Sequence, residues 1–143
     1  DVVDKLKKRC LQSDLANKVL FVPTLPYNQM MQYTINSDVG VSLDKSNNIN
    51  YQFSLPNKIF DYVKAEIPFV STNLVEIRKI AEQYYTGVLI SSLKPEIIIE
   101  GLNKAIALKA SKNFIANFTK MNSTLNWESE SVSLVRTYDR FKR

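Results

Sequence analysis

The sequence contains no histidine and a single cysteine, Cys10. Without histidine the chain lacks the commonest general base near neutral pH and the commonest zinc ligand. One cysteine allows no internal disulfide, which favours a reducing compartment. No apolar run approaches the roughly 20 residues that span a bilayer. The first ten residues are charged and lack the apolar stretch of a secretory signal. There is no Asp-x-Asp pair and no His or Cys cluster to hold a divalent ion. These absences weigh against histidine- and metal-based catalysis, a disulfide scaffold and a transmembrane helix.

What is present is ordinary for a globular domain. The 143 residues are 45% hydrophobic and 23% charged, which excludes a disordered tail, a coiled coil and a collagen-like fibre. The length fits one domain of about 100–200 residues. Asp1 opens what reads as the middle of a helix, so a fragment of a longer protein is expected. The net charge of +5 suits phosphates or acidic lipids.

Short apolar runs alternate with helical spacing, the pattern of an α/β domain. A helix is expected over residues 1–17, with Val3, Leu6, Cys10 and Leu15 among charges. Strands are expected at residues 19–22, 39–43, 68–71 and 88–91. Tyr27, Met30, Met31 and Thr34 recur at helical spacing. Pro56 opens a helix carrying Ile59, Phe60 and Val63. Asn73 and Glu76 resemble a capping box, and Gly87 is expected to close the helix they start. Pro95 opens a helix with Ile99, Leu102 and Ile106 on one face. Residues 111–121 and 126–141 read as terminal helices, the second with a seam of Trp127, Leu134, Tyr138 and Phe141. Trp127 and Tyr138 are expected in the core. Residues 1–108 form the α/β part and 109–143 the terminal helices of one partial domain. The parallel sheet should be covered on both faces. Ligands then bind beyond the carboxyl ends of the strands, where the loops after Val22, Leu43 and Ser71 lie. Of these, the Asn-rich loop over residues 46–50 reads as a mobile loop in preference to a sugar site. The basic ends, residues 5–9 and 136–143, read as solvated helix faces. Two matches to the glycosylation sequon, at Asn117 and Asn122, read as chance.

One ordered combination is more specific. Ser37-Asp38-Val39-Gly40-Val41-Ser42-Leu43 is followed by Ser54-Leu55-Pro56-Asn57-Lys58-Ile59-Phe60-Asp61-Tyr62, then by Ile67-Pro68-Phe69-Val70 and Asn73-Leu74-Val75-Glu76-Ile77. The series resembles the donor-binding half of GT-B glycosyltransferases of the large retaining family four. In that family a strand of the type aDigl precedes an slPnKlfEym helix and a G-x-P-v-v strand. The likeness covers roughly residues 19–108. It implies a Rossmann-like parallel sheet flanked by helices, the carboxy-terminal half of a GT-B fold lacking its first strands. In the family's topology those strands lie between residues 19–22 and 39–43, so open strand edges are expected of this chain, and with them self-association, swapping of elements or a rearranged strand order.

The resemblance implies a retaining transfer of sugar from a UDP- or GDP-sugar to a glycan or lipid-linked acceptor, in envelope or capsule polysaccharide synthesis. This chain would be the donor-binding part and inactive alone. The location implied is cytoplasmic, at the inner face of the membrane. Donor contacts are expected from Ser54, Leu55, Pro56, Asn57, Lys58 and Asp61. A helix start offers free N–H groups and a positive dipole end to a diphosphate. Lys58 adds a full charge. Asp61 lies at i+3 from Lys58 and can share its cleft; in the family an acid at this position holds the ribose hydroxyls. On residue type alone, Lys58 and Asp61 are equally a solvated surface pair. No metal or other cofactor is expected, and no catalytic residue is named. Two departures stand out: Phe53 occupies the place of the family's first acid, eight residues before Asp61, and Glu66 replaces its usual glycine. A GT-B-like epimerase or phosphorylase, or a basic nucleic-acid-binding module, are the alternatives. No basic stripe interleaved with aromatics supports nucleic acid as a partner.

Overall fold

A computed structural model describes residues 1–141. The chain divides into two compact units, Asp1–Met30 and the chain from Met31 onward.

The first unit contains helix α1 (Val2–Leu11), capped by Asp1, whose side chain accepts from the Val3 N–H at 3.2 Å. The helix is shorter than the expected 1–17 because the chain passes into turns after Leu11. Residues 19–22 are not a strand. A strand needs a neighbour for its backbone groups, Pro23 supplies no N–H, and the ladders of the sheet run only among three later strands. Phe21 instead packs beside α1, with the Lys7 Nζ 5.9 Å from its ring centre.

Helix α2 (Tyr27–Ile35) spans the boundary between the units. The second unit continues through β1 (Gly40–Ser42), α3 (Ile49–Gln52), α4 (Asn57–Lys64), β2 (Phe69–Thr72), α5 (Val75–Tyr84), β3 (Gly87–Ile90), α6 (Pro95–Leu108), α7 (Phe114–Thr124) and α8 (Trp127–Asp139). The sheet has three parallel strands in the order β1-β2-β3, where four were expected. Gly40 stands opposite Phe69, and Phe69 opposite Gly87. The central strand β2 is buried nearly throughout, as a parallel strand covered on both faces must be. Phe69 joins Ile59, Leu74, Ile77 and Ala81 under α4 and α5. Its neighbour Val70 points the other way, into Ile90 and Ala105 under α6. Met121 of α7 closes over Val63, Ile80 and Tyr84.

The sequence patterns gave most of these elements but misplaced several faces. On α6 the packed residues are Ile97, Ile98, Leu102 and Ala105. Of the expected stripe Leu102 packs as expected, while Ile99 and Ile106 are exposed and their neighbours Ile98 and Ala105 pack in their place. Gly101 explains the shift, because a Cβ there would stand 2.7 Å from Ile90 Cγ2. The helix approaches β3 through its one glycine. Leu74, not Asn73, is the N-cap of α5 and makes no side-chain cap bond. The Asn73 Oδ1 accepts from Arg78 Nε at 2.6 Å instead. Tyr85, in a left-handed conformation at φ 53°, ends that helix before Gly87 is reached. Trp127 and Tyr138 are not core residues: they are 70% and 66% exposed, and α8 buries no residue. Residues 136–141 fit the expected solvated face, with every described residue there exposed; Lys142 and Arg143 lie outside the described residues.

Candidate functional site

The carboxyl ends of the strands are tied together by hydroxyls. Ser71 Oγ donates to the Ser42 carbonyl at 3.0 Å, joining β2 to β1. Thr72 Oγ1 donates to the Asp44 carbonyl at 2.7 Å, anchoring the loop after β1 to the end of β2. Asp44 is thereby fixed two residues beyond its strand. Its Oδ2 accepts from Ser42 Oγ at 2.8 Å and lies 3.4 Å from Lys58 Nζ.

Lys58 sits in the first turn of α4, as the pattern after Pro56 predicts. Pro56 is the N-cap, with extended backbone and no side chain to occupy the first N–H groups. The amino end of α4 therefore carries uncapped donors, the positive end of the dipole and an ammonium. Ser54 turns its hydroxyl to the Tyr51 carbonyl at 2.9 Å. Leu55 packs against two core clusters and anchors the turn. Asn57 is exposed and Asp61 half-buried.

Tyr62 links this helix to β1. Its ring lies where a Cβ on Gly40 would stand, and its hydroxyl donates to the Val41 carbonyl at 2.9 Å. Burial pushes the Tyr62 pKa above the ordinary tyrosine range; the bond to Val41 opposes this, and the charges of Asp61 and Asp44 add to it. Both carboxylates thus act on the same hydroxyl. At the carboxyl end of α6, Lys109 pairs with the exposed Asp38 at 2.9 Å and lowers its pKa.

Beyond the strand ends lies an open cleft of about 330 Å³. Three loops line it: Asp44 to Asn47 after β1, Thr72 to Leu74 after β2, and Ser91 to Leu93 after β3, with Ile90 at the base. None of the six residues expected at the donor site lines it. Lys58 reaches its edge through Asp44. The structure thus gathers Ser54, Leu55, Pro56, Asn57, Lys58 and Asp61 into one turn and helix, beside the cleft and not in it. Asp44, Ser42 and Thr72 were not singled out from the sequence, although a carboxylate just past a strand in a parallel sheet is a signal of position. Among the described residues, no group of three or more His, Cys, Asp or Glu side chains could hold a metal ion, and no helix is long and apolar enough to cross a membrane.

No protein-family model matches the chain, and no curated protein matches it.

Proposed function

We propose that the chain is the donor-binding part of a retaining, nucleotide-sugar-dependent glycosyltransferase of the GT-B type, acting on a glycan or lipid-linked acceptor in cell-envelope polysaccharide synthesis. The observation that carries this reading is the first turn of α4. There an uncapped helix start and Lys58 stand together at the carboxyl side of a parallel sheet, with Asp61 one turn on. The mixed α/β fold is compatible with the Rossmann-like half of such an enzyme.

In this reading the donor diphosphate meets the N–H groups of Asn57 and Lys58 and the Lys58 ammonium. An ammonium has three donors, so Lys58 can keep Asp44 and still take a phosphate oxygen. Asp61 accepts from the ribose hydroxyls. The developing charge on the leaving diphosphate is offset by these groups, and no divalent ion is called for. The retaining course, with the diphosphate itself as the base-like partner, follows from the resemblance alone. The location is cytoplasmic, at the inner membrane face.

The test is a transfer assay on the longer protein that the resemblance implies. UDP- and GDP-sugars are offered with glycan and lipid-linked acceptors, and the anomeric configuration of the product is read by NMR. A product with the donor's configuration supports the reading. Net epimerisation of the sugar, or phosphorolysis, would replace it with the epimerase or phosphorylase alternative.

A further inference from the structure

The carboxylate beside Lys58 is fixed in place. Ser42 Oγ donates to Asp44 Oδ2 at 2.8 Å and Thr72 Oγ1 to the Asp44 carbonyl at 2.7 Å, so side chain and backbone are both tied to the sheet. Lys58 Nζ stands 3.4 Å from the same Oδ2. The lysine stem can turn toward a new partner, whereas Asp44 is held and cannot turn away. While Lys58 keeps Asp44, a phosphate oxygen on another of its three donors lies about 5 Å from Oδ2.

The charges at this point oppose one another. Lys45, next in the chain, is exposed and has no partner among the described residues. Lys45 and Lys58 favour every negative charge that a ligand brings, and Asp44 opposes every one. At about 5 Å, between the limits of bulk water and a protein surface and after screening by salt, one such charge changes a binding constant by about 3- to 10-fold.

The substrate and product of the proposed transfer differ by one such charge. The bond from the glycosyl carbon to the diphosphate breaks, and a bond from that carbon to the acceptor oxygen forms. The bridging oxygen leaves with the electron pair, and the acceptor's proton goes to the diphosphate or to water. The freed terminal phosphate ionises a second time at about pH 6, so above that pH the product carries one more negative charge than the nucleotide-sugar did.

We propose that Asp44 sets the preference of this site for the nucleotide-sugar over the free nucleoside diphosphate, by repelling the charge that the diphosphate gains when the sugar leaves. The role rests on the glycosyltransferase reading, since only a ligand that loses a glycosyl group gains this charge. Lys58 and the first N–H groups of α4 carry the charge as it develops. Asp44 limits how firmly the finished product is then held, which favours its release.

The experiment is calorimetric titration of the full chain and of Asp44→Asn, at about pH 7.5, where the freed phosphate is doubly ionised. The ligands are UDP with UDP-glucose, UDP-galactose and UDP-N-acetylglucosamine, and GDP with GDP-mannose. The substitution keeps an oxygen for Ser42 and leaves the backbone carbonyl to Thr72; an unchanged urea midpoint checks that the loop has stayed in place. Asp44→Asn should tighten the nucleoside diphosphate about 3- to 10-fold more than it tightens the matching nucleotide-sugar. Comparing two ligands in one variant cancels contacts to the sugar and any general loosening of the loop. The proposal is overturned if both ligands tighten alike, if neither changes, or if both weaken, as they would were Asp44 only a support for Lys58. It is overturned as well if the parent takes a nucleoside diphosphate and refuses every nucleotide-sugar. Binding that Lys58→Ala weakens, with no difference between the two ligands in Asp44→Asn, would remove this role of Asp44 and leave the proposed function. Binding of no nucleotide by the parent would remove the proposed function and this role with it.

Discussion

Lys58 on α4 and Asp44 beyond β1 are held 3.4 Å apart, the ammonium facing the same carboxylate oxygen that Ser42 holds. The pair joins the helix expected to bind a diphosphate to the loop that walls the cleft. Its side chains are 43% and 27% exposed, so solvent screens the attraction and the charge pair alone contributes little. The bond from Ser42 to the carboxylate contributes more. Asp44→Ala should therefore lower stability by about 1–2 kcal/mol, read as a shift in the urea midpoint. A loss below the error of that measurement would mean that Asp44 does not hold the loop.

Glu66 occupies the left-handed region at φ 54°, where the resemblance expects glycine. The end of α4 explains that expectation. The Ile67 N–H reaches the Tyr62 carbonyl at 3.1 Å and the Glu66 N–H the Val63 carbonyl at 3.0 Å, a Schellman pair with Glu66 at the position glycine favours. Glu66→Gly should raise stability by about 0.5–1 kcal/mol, with an unchanged urea m-value. Destabilisation would show that the Glu66 side chain contributes more than its backbone costs.

Tyr62 gives the structure a pH signature. Its pKa is raised, chiefly by burial, so the folded state keeps the phenolic proton longer than the unfolded chain does. Stability is then full below the ordinary tyrosine value of about 10 and falls as pH rises toward the raised folded value. Tyr62→Phe should flatten that alkaline decline, at a cost of about 1 kcal/mol at neutral pH for the lost bond to Val41. Parallel alkaline declines in the two proteins would contradict the assignment.

Trp127 is the only tryptophan and is mostly exposed. Its fluorescence should resemble that of free indole in water and be quenched readily by iodide. Trp127→Ala should change stability by no more than about 0.5 kcal/mol. A blue-shifted, protected emission would place it in an apolar contact.

The elements legible in the sequence are those with strong local signals. Pro56 and Pro95 mark helix starts, and the runs ending at Ser71 and Ile90 are apolar on both faces, as buried parallel strands are. Residues 19–22 show the limit of that signal, since an apolar run becomes a strand only where another strand pairs with it. Ile99 and Ile106 were misassigned because helical spacing alone does not choose between adjacent stripes; close packing at Gly101 does. The seam on α8 has regular apolar spacing yet lies exposed, so spacing identified a helix without identifying what covers it. The position of Lys58 and Asp61 on α4 was readable from Pro56, the N-cap of that helix. Asp44 was not, because its partners Ser42, Thr72 and Lys58 meet only when β1, β2 and α4 pack together.

Asp61 should matter to nucleotide recognition more than to folding. On the proposed donor-binding reading, Asp61→Ala in the longer protein that the resemblance implies should lower kcat/KM for the donor by about 1–3 kcal/mol, the cost of unpaired ribose hydroxyls. Unchanged kinetics in a folded variant would remove Asp61 from the site.

The most direct test of the central claim is calorimetric titration of the full chain with UDP and GDP, with and without EDTA, beside Lys58→Ala. The account predicts that one of the two nucleotides binds, that EDTA leaves the Kd unchanged, and that Lys58→Ala weakens binding about tenfold or more, as losing a charge-assisted phosphate contact does. Binding of neither nucleotide, binding that requires Mg²⁺ or Mn²⁺, or equal affinity in Lys58→Ala would contradict it.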